Sequence, residues 1–91
     1  MSVNVRIPVS LRSLTNNEDS ITGDAGTIAQ CIETIDRRFP GLKERLCDET
    51  GELRRFVNVY VNGEDVRFLS GLQTVLKDGD EVSIVPAVAG G

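Results

Sequence analysis

Histidine and tryptophan are missing from the chain altogether, and three Phe with one Tyr bring the aromatic share to only 4%. Without histidine the commonest general base is absent, and a Ser-His-Asp arrangement is excluded for Ser10, Ser13, Ser20, Ser70 and Ser83. Cysteine is scarce: Cys31 and Cys47 make no Cys-x-x-Cys pair and have no histidine to complete a zinc site. One internal disulfide is formally open to them, but two reduced thiols in a cytoplasmic chain are the simpler expectation. No apolar run nears the ~20 residues of a membrane span. Met1 to Ser10 alternates and carries a charge, unlike a signal peptide. Gly23-Asp24-Ala25-Gly26 lacks the glycine-lysine pattern of a phosphate loop, and Asp78-Gly79-Asp80 lacks the spacing of a calcium loop. Those acids read as solvated turn residues, and no bound cofactor or metal is expected.

What remains suits one small domain. The chain has 91 residues, 40% of them hydrophobic and 26% charged, with a net charge of −4. At this size about 60–65% of the unfolded surface is buried on folding, enough for one modest core but little for a deep substrate pocket. The acidic balance repels phosphate backbones, so nucleic acid is not an expected partner, and a basic protein surface is a better one.

Periodicity orders the elements. Val3, Val5, Ile7 and Val9 alternate with polar residues and predict a half-buried strand, followed by a loop over 10–19 and a short strand near Ser20-Ile21-Thr22. Thr27 with Gln30 three residues on has capping-box spacing, and Ile28, Ile32, Ile35 and Phe39 predict a helix with one apolar stripe that Cys31 borders. Glu33 and Arg37, four apart, are expected to pair weakly. Pro40-Gly41 ends the helix, Leu42 to Leu46 adds a helical turn, and Cys47 to Glu52 reads as a loop in which Cys47 is more exposed than Cys31. Arg55 to Val61 is the strongest strand, with Val57, Val59 and Val61 inward and Phe56, Asn58 and Tyr60 on the other face. Asn62-Gly63 predicts a tight turn, with Val66-Arg67-Phe68 pairing back, then a short helical turn in 69–77 and a last strand over 81–86. This order predicts an α+β fold, a β-grasp (ubiquitin-like) roll: a mixed sheet of four to five strands, the first and last side by side at its centre, and one main helix across one face. The whole of 1–91 is expected to be a single domain, with 86–91 as a flexible C-terminal tail.

Three segments carry a resemblance to a known family: Val57-Asn58-Val59-Tyr60-Val61-Asn62-Gly63-Glu64-Asp65-Val66-Arg67, Asp78-Gly79-Asp80-Glu81-Val82, and Pro86-Ala87-Val88-Ala89-Gly90-Gly91. Through them the chain resembles the ubiquitin-like sulfur carriers of the MoaD/ThiS superfamily, and within that group it looks like the CysO type of the cysteine pathway. The resemblance implies a protein cosubstrate, not an enzyme. An activating partner resembling ubiquitin-activating adenylyltransferases would use ATP to convert the Gly91 carboxylate to an acyl-adenylate, and sulfur would displace AMP to leave a thiocarboxylate. Gly90 and Gly91, lacking Cβ atoms, would let the tail enter a narrow channel, and no proteolytic unmasking would be needed. The sulfur acceptor enzyme would be a cysteine synthase, or alternatively the molybdopterin synthase large subunit. A protein modifier and a plain interaction domain are the remaining alternatives.

Partner contacts are expected on the sheet face opposite the helix. Period-2 alternation puts Ser83, Val85 and Ala87 outward beside Phe56 and Tyr60, and an exposed Val85 next to Phe56 would make an apolar interaction patch. Phe68 and the tail residues Ala87, Val88 and Ala89 complete the expected contact set; the alternative for Phe56 or Phe68 is closure of the core edge. Arg55, Asp65 and Arg67 read as rim charges, mostly solvated.

Overall fold

The computed structural model describes residues 2–24 and 26–86. Five strands, β1 (Ser2–Arg6), β2 (Ser20–Asp24), β3 (Val57–Val61), β4 (Glu64–Asp65) and β5 (Glu81–Pro86), form one sheet in the order β2-β1-β5-β3-β4. β1 and β5 run parallel at the centre, and the remaining neighbours are antiparallel. Two helices, α1 (Ile28–Arg38) and α2 (Leu42–Leu46), follow the first hairpin. This is the β-grasp arrangement.

Alternation decides the faces. Val3, Val5, Ile21, Val57, Val59, Val61, Val82 and Ile84 are all buried on one side of the sheet, and Ile28, Cys31, Ile32 and Ile35 of α1 meet them. The helix begins where its sequence says it should. Thr27 Oγ1 accepts the Gln30 N–H at 3.2 Å, and Gln30 Oε1 accepts the Thr27 N–H at 2.9 Å, a reciprocal cap that contributes about 1 kcal/mol. It ends at Phe39, which packs against the core edge, and Gly41 at φ 102° turns the chain into α2, a conformation closed to most side chains. Asn62 (φ 51°) and Gly63 (φ 88°) both lie in the left-handed region, the geometry of the tight hairpin between β3 and β4.

Several expectations fail locally. Val9 was expected inward with Val3, Val5 and Ile7, but the chain leaves the sheet at Ile7-Pro8 and enters a 3-10 turn over Val9–Leu14, which leaves Val9 75% exposed and buries Leu11 instead. The strand that pairs back after the Asn62-Gly63 turn is Glu64–Asp65, not 66–68. A two-residue turn starts the pairing at once, and Asp65 then accepts the Arg67 N–H at 2.8 Å and closes Val66–Phe68 into a 3-10 turn. The second strand runs past Ser20-Ile21-Thr22 to Asp24, with Gly23 opposite Val3. Glu33 pairs with Lys43 of α2 instead of Arg37.

The end of the central strand as a candidate docking site

β5 is the strand on which everything expected of the tail depends. Its neighbours on both sides fix it: Ser83 lies between Arg6 of β1 and Tyr60 of β3, Val85 opposite Asn58, and Pro86 opposite Val57. Proline cannot donate to a ladder, so it suits the last rung. Beyond it, residues 87–91 are outside the described residues, and with them Ala87, Val88, Ala89, Gly90 and Gly91. What the fold supplies is the place from which they leave, between the end of β1 and the start of β3.

Val85 is 43% exposed on the face away from α1, as alternation predicts, and Tyr60 is half-buried on the same face between Ser83 and Asp65. Phe56 is 61% exposed and sits one residue before the first rung of β3, at the same end of the sheet as Pro86. Phe68 is 88% exposed. It lies in the 3-10 turn Val66–Phe68 that follows β4 and packs against β3. Val9, freed by the early end of β1, takes the place beside Val85. With Arg6, Pro8, Arg12 and Pro86, these two line a shallow groove of about 350 Å³ that flanks the end of β5. Sequence reasoning missed Val9 and Arg12. The signal was Pro8, which reads as a strand breaker as well as an edge residue.

Residues 5–91 match the model of the ThiS family. This chain belongs to the ThiS family of ubiquitin-like sulfur carriers. Along its full length the carrier is 47% identical, over 93 aligned residues, to the sulfur carrier protein CysO of Mycobacterium tuberculosis, also covered in full. Its fold superposes on the crystal structure of the M. tuberculosis CysO with a TM-score of 0.90 at 45% identity, covering 94% of this chain and 99% of that one. The CysO in the crystal structure of the Amycolatopsis orientalis BexX/CysO complex gives a TM-score of 0.92 at 48% identity, with 98% of this chain and 99% of that one covered.

The carrier frames its tail exit with a side chain that looked like a rim charge. Arg67 donates from Nη1 to Asn58 Oδ1 at 2.6 Å and from Nη2 to the carbonyl oxygens of Val57 and Arg54 at 2.8 and 3.0 Å. Asn58 faces Val85 and Val57 faces Pro86, so this one guanidinium holds the segment against which the last rungs of β5 are laid. Charge-assisted hydrogen bonds of this kind are short and directional. At the other end of β5, Asn62 Oδ1 accepts the Glu81 N–H at 2.9 Å while its amide donates to Asp80 Oδ1 at 3.0 Å. The Lys77 N–H and the Asn62 amide hold the Asp80 carboxyl below the usual carboxylate range.

The two thiols are free and both are buried. The expected exposure of Cys47 is wrong: it caps α2, bridges to Leu53 and is 5% exposed. Burial raises its thiol above the ordinary value, although Lys43 and Arg54 pull the other way. Burial, with Asp24 adding to it, pushes the Cys31 thiol from 9.0 up to about 11. The folded state therefore favours the neutral thiol at Cys31. That contribution is complete below about pH 9 and is lost as the pH rises from about 9 to about 11. At neutral pH both thiols are expected to resist an aromatic disulfide reagent in the folded carrier and to react fully in guanidinium; prompt reaction of either thiol without denaturant would contradict their burial.

A larger hollow of about 530 Å³ opens beside α2, lined by charges of both signs. Its polar groups are engaged by the protein itself: Asp36 accepts the Gly41 and Lys43 N–H groups, Asp48 those of Thr50 and Glu52, and Arg54 Nε donates to the Glu44 carbonyl. Among the described residues no three of His, Cys, Asp or Glu converge as a metal site, and no helix is long and apolar enough to cross a membrane.

Proposed function

We propose that this protein carries sulfur as a thiocarboxylate on Gly91 and delivers it to cysteine biosynthesis. The observation that carries this reading is the full-length likeness to CysO, which includes the tail sequence. The chemistry needs little from the carrier itself. The Gly91 carboxylate attacks the α-phosphorus of ATP in an activating enzyme and releases pyrophosphate. A sulfur nucleophile then attacks the acyl-adenylate and expels AMP, leaving C–S where one C–O stood. A carboxylate is a poor acylating group and must be activated; the thiocarboxylate, ionised at neutral pH, is a good sulfur nucleophile for an acceptor enzyme such as a cysteine synthase. ATP belongs to the activating enzyme, and no cofactor is needed in the carrier. Gly90 and Gly91 offer no Cβ to a channel wall.

The body of the domain presents that tail. Val85, Phe56, Tyr60 and the exposed Phe68, with Val9 in the groove it shares with Val85, are the contacts we assign to the partners, and Ala87, Val88 and Ala89 those along the channel. The CysO of A. orientalis forms a complex with BexX, which favours a carrier that acts by docking.

Intact mass tests this. Incubated with ATP, a sulfur donor and a ubiquitin-activating-type enzyme of the same organism, the protein is expected to gain the mass of one oxygen exchanged for sulfur, and the Gly91 deletion is expected to gain nothing. A folded protein that shows no exchange with an enzyme active on another carrier, or a deletion variant that still accepts sulfur, would overturn the reading. Transfer of the carried sulfur to cysteine by an added cysteine synthase separates this pathway from delivery to molybdopterin synthase.

A further inference from the structure

The chain as a whole is acidic, with 14 Asp and Glu against 10 Lys and Arg. The groove beside the end of β5 is not. Arg6 and Arg12 line it, and no acidic residue is among its described lining. Around the cations the walls are apolar, with Val9, Val85 and Pro86. A cationic island with an apolar rim, placed at the tail exit of an acidic protein, is a local reversal of the expectation drawn from net charge.

The two arginines differ. Arg6 is spread over the open face and has Glu81 at 3.9 Å, an exposed pair that neutralises it only in part. Arg12 forms no ion pair among the described residues. Its Nε donates to the Ile7 carbonyl at 3.1 Å, which orients the guanidinium over the groove and leaves both terminal nitrogens to act as a fork. A fork held in this way loses less side-chain freedom on pairing and matches a carboxylate with two parallel hydrogen bonds. Among the described residues lining the groove no glycine and no lysine joins these arginines to cradle a phosphate, and the apolar rim resembles a protein interface more than an anion pocket.

We propose that the Arg6/Arg12 groove is a docking surface for Asp or Glu side chains on the activating enzyme, beside the mouth of the channel that takes the tail. This rests on the carrier reading above. Carboxylates there would steer the tail end of an otherwise acidic body toward the enzyme and hold it in register, while Val9 and Val85 supply the dry contact.

Two measurements test the groove. In the first, thiocarboxylate formation is followed against carrier concentration for the wild type, R12K, R12Q and the double variant R6Q/R12Q, at low and high salt. We expect R6Q/R12Q to raise KM about tenfold with kcat unchanged and to flatten the salt dependence of kcat/KM. R12K should keep the salt dependence and lose part of the affinity, since it keeps the charge without the fork. Unchanged KM and salt slope in the double variant would overturn the proposal. In the second, binding of each carrier to the activating enzyme is measured by calorimetry without ATP. If no sulfur is transferred but the wild type binds and R6Q/R12Q does not, the carrier reading fails and the docking surface stands. If neither binds, or if both bind alike, the docking surface fails. ATP or pyrophosphate titrated into the carrier alone should leave the Arg12 side-chain resonances unmoved; a specific shift there with KM unaltered would make the groove a phosphate site and overturn the assignment. Each variant is accepted only if its melting temperature matches the wild type.

Discussion

Alanine at Gly23 is expected to destabilise the domain by about 1–3 kcal/mol, although the substitution adds a single methyl group. Gly23 lies in β2 opposite Val3, on the face that α1 covers. A Cβ built there would meet Cys31 Sγ at 2.8 Å and Val5 Cγ2 at 3.4 Å. The first distance is closer than real Cβ atoms approach, so the helix or the strand must shift. Cys31 has no room to turn away, being 2% exposed and enclosed by the core. The loss of unfolded-chain freedom works in the other direction, by ~0.4–1 kcal/mol, and does not offset the clash. Removing the obstructing atom supplies the check. Cys31→Ala alone should cost about 1 kcal/mol, and in its background Gly23→Ala should cost less than in the wild type, a coupling of ~0.5–3 kcal/mol in denaturant unfolding. Strict additivity would mean that the close approach of α1 to β2 at this point is wrong.

Leu46→Ala is the second large effect. Leu46 ends α2, is 1% exposed, and shares the innermost layer of the core with Ile32, Ile35, Leu42 and Ile84. Truncation leaves a cavity that neighbours from two helices and the sheet can fill only partly, at an expected cost of ~2–5 kcal/mol. Domains of this size have ~5–15 kcal/mol to lose, so a large fraction of the stability goes. A lower denaturation midpoint with an unchanged slope is the expected signature. Val85→Ala provides the contrast. Its side chain faces outward at the tail exit, so the cost should stay within about 0.5 kcal/mol, and any larger loss of sulfur loading would report docking instead of folding. If Val85→Ala proved as destabilising as Leu46→Ala, the outward placement of Val85 would be contradicted.

The parts of the fold that follow from short-range patterns could be read from the chain. Val57, Val59 and Val61 alternate without interruption and are buried together; Thr27 and Gln30 form the cap that their spacing predicts; Asn62-Gly63 makes the turn that its φ preferences demand. The outward direction of Val85 followed from parity with Ser83. What could not be read depends on where alternation stops. Period two cannot tell that β1 ends at Arg6, so Val9 was placed with the core, and the groove it lines was lost with it. Arg67 is one arginine among several in the sequence. Only the meeting of the 66–68 turn with the start of β3 gives it three acceptors. Cys47 is buried because α2 folds back on α1, a tertiary contact with no local signature beyond Leu42 and Leu46.

β5 has one further consequence, in folding order. β1 touches β3 nowhere in the sheet except through β5, which comes last in the described chain and pairs with the first strand on one side and with β3 on the other. The helices and the two hairpins are local and can form early, but neither hairpin can be completed into a sheet until this strand inserts, a closure of long sequence separation that is slow and comes late. Until then there is no rung at Pro86 and no groove between Val9 and Val85. A partly folded chain therefore offers its partners the tail sequence without the frame around it. An enzyme that reads both would load sulfur only onto chains that have finished folding.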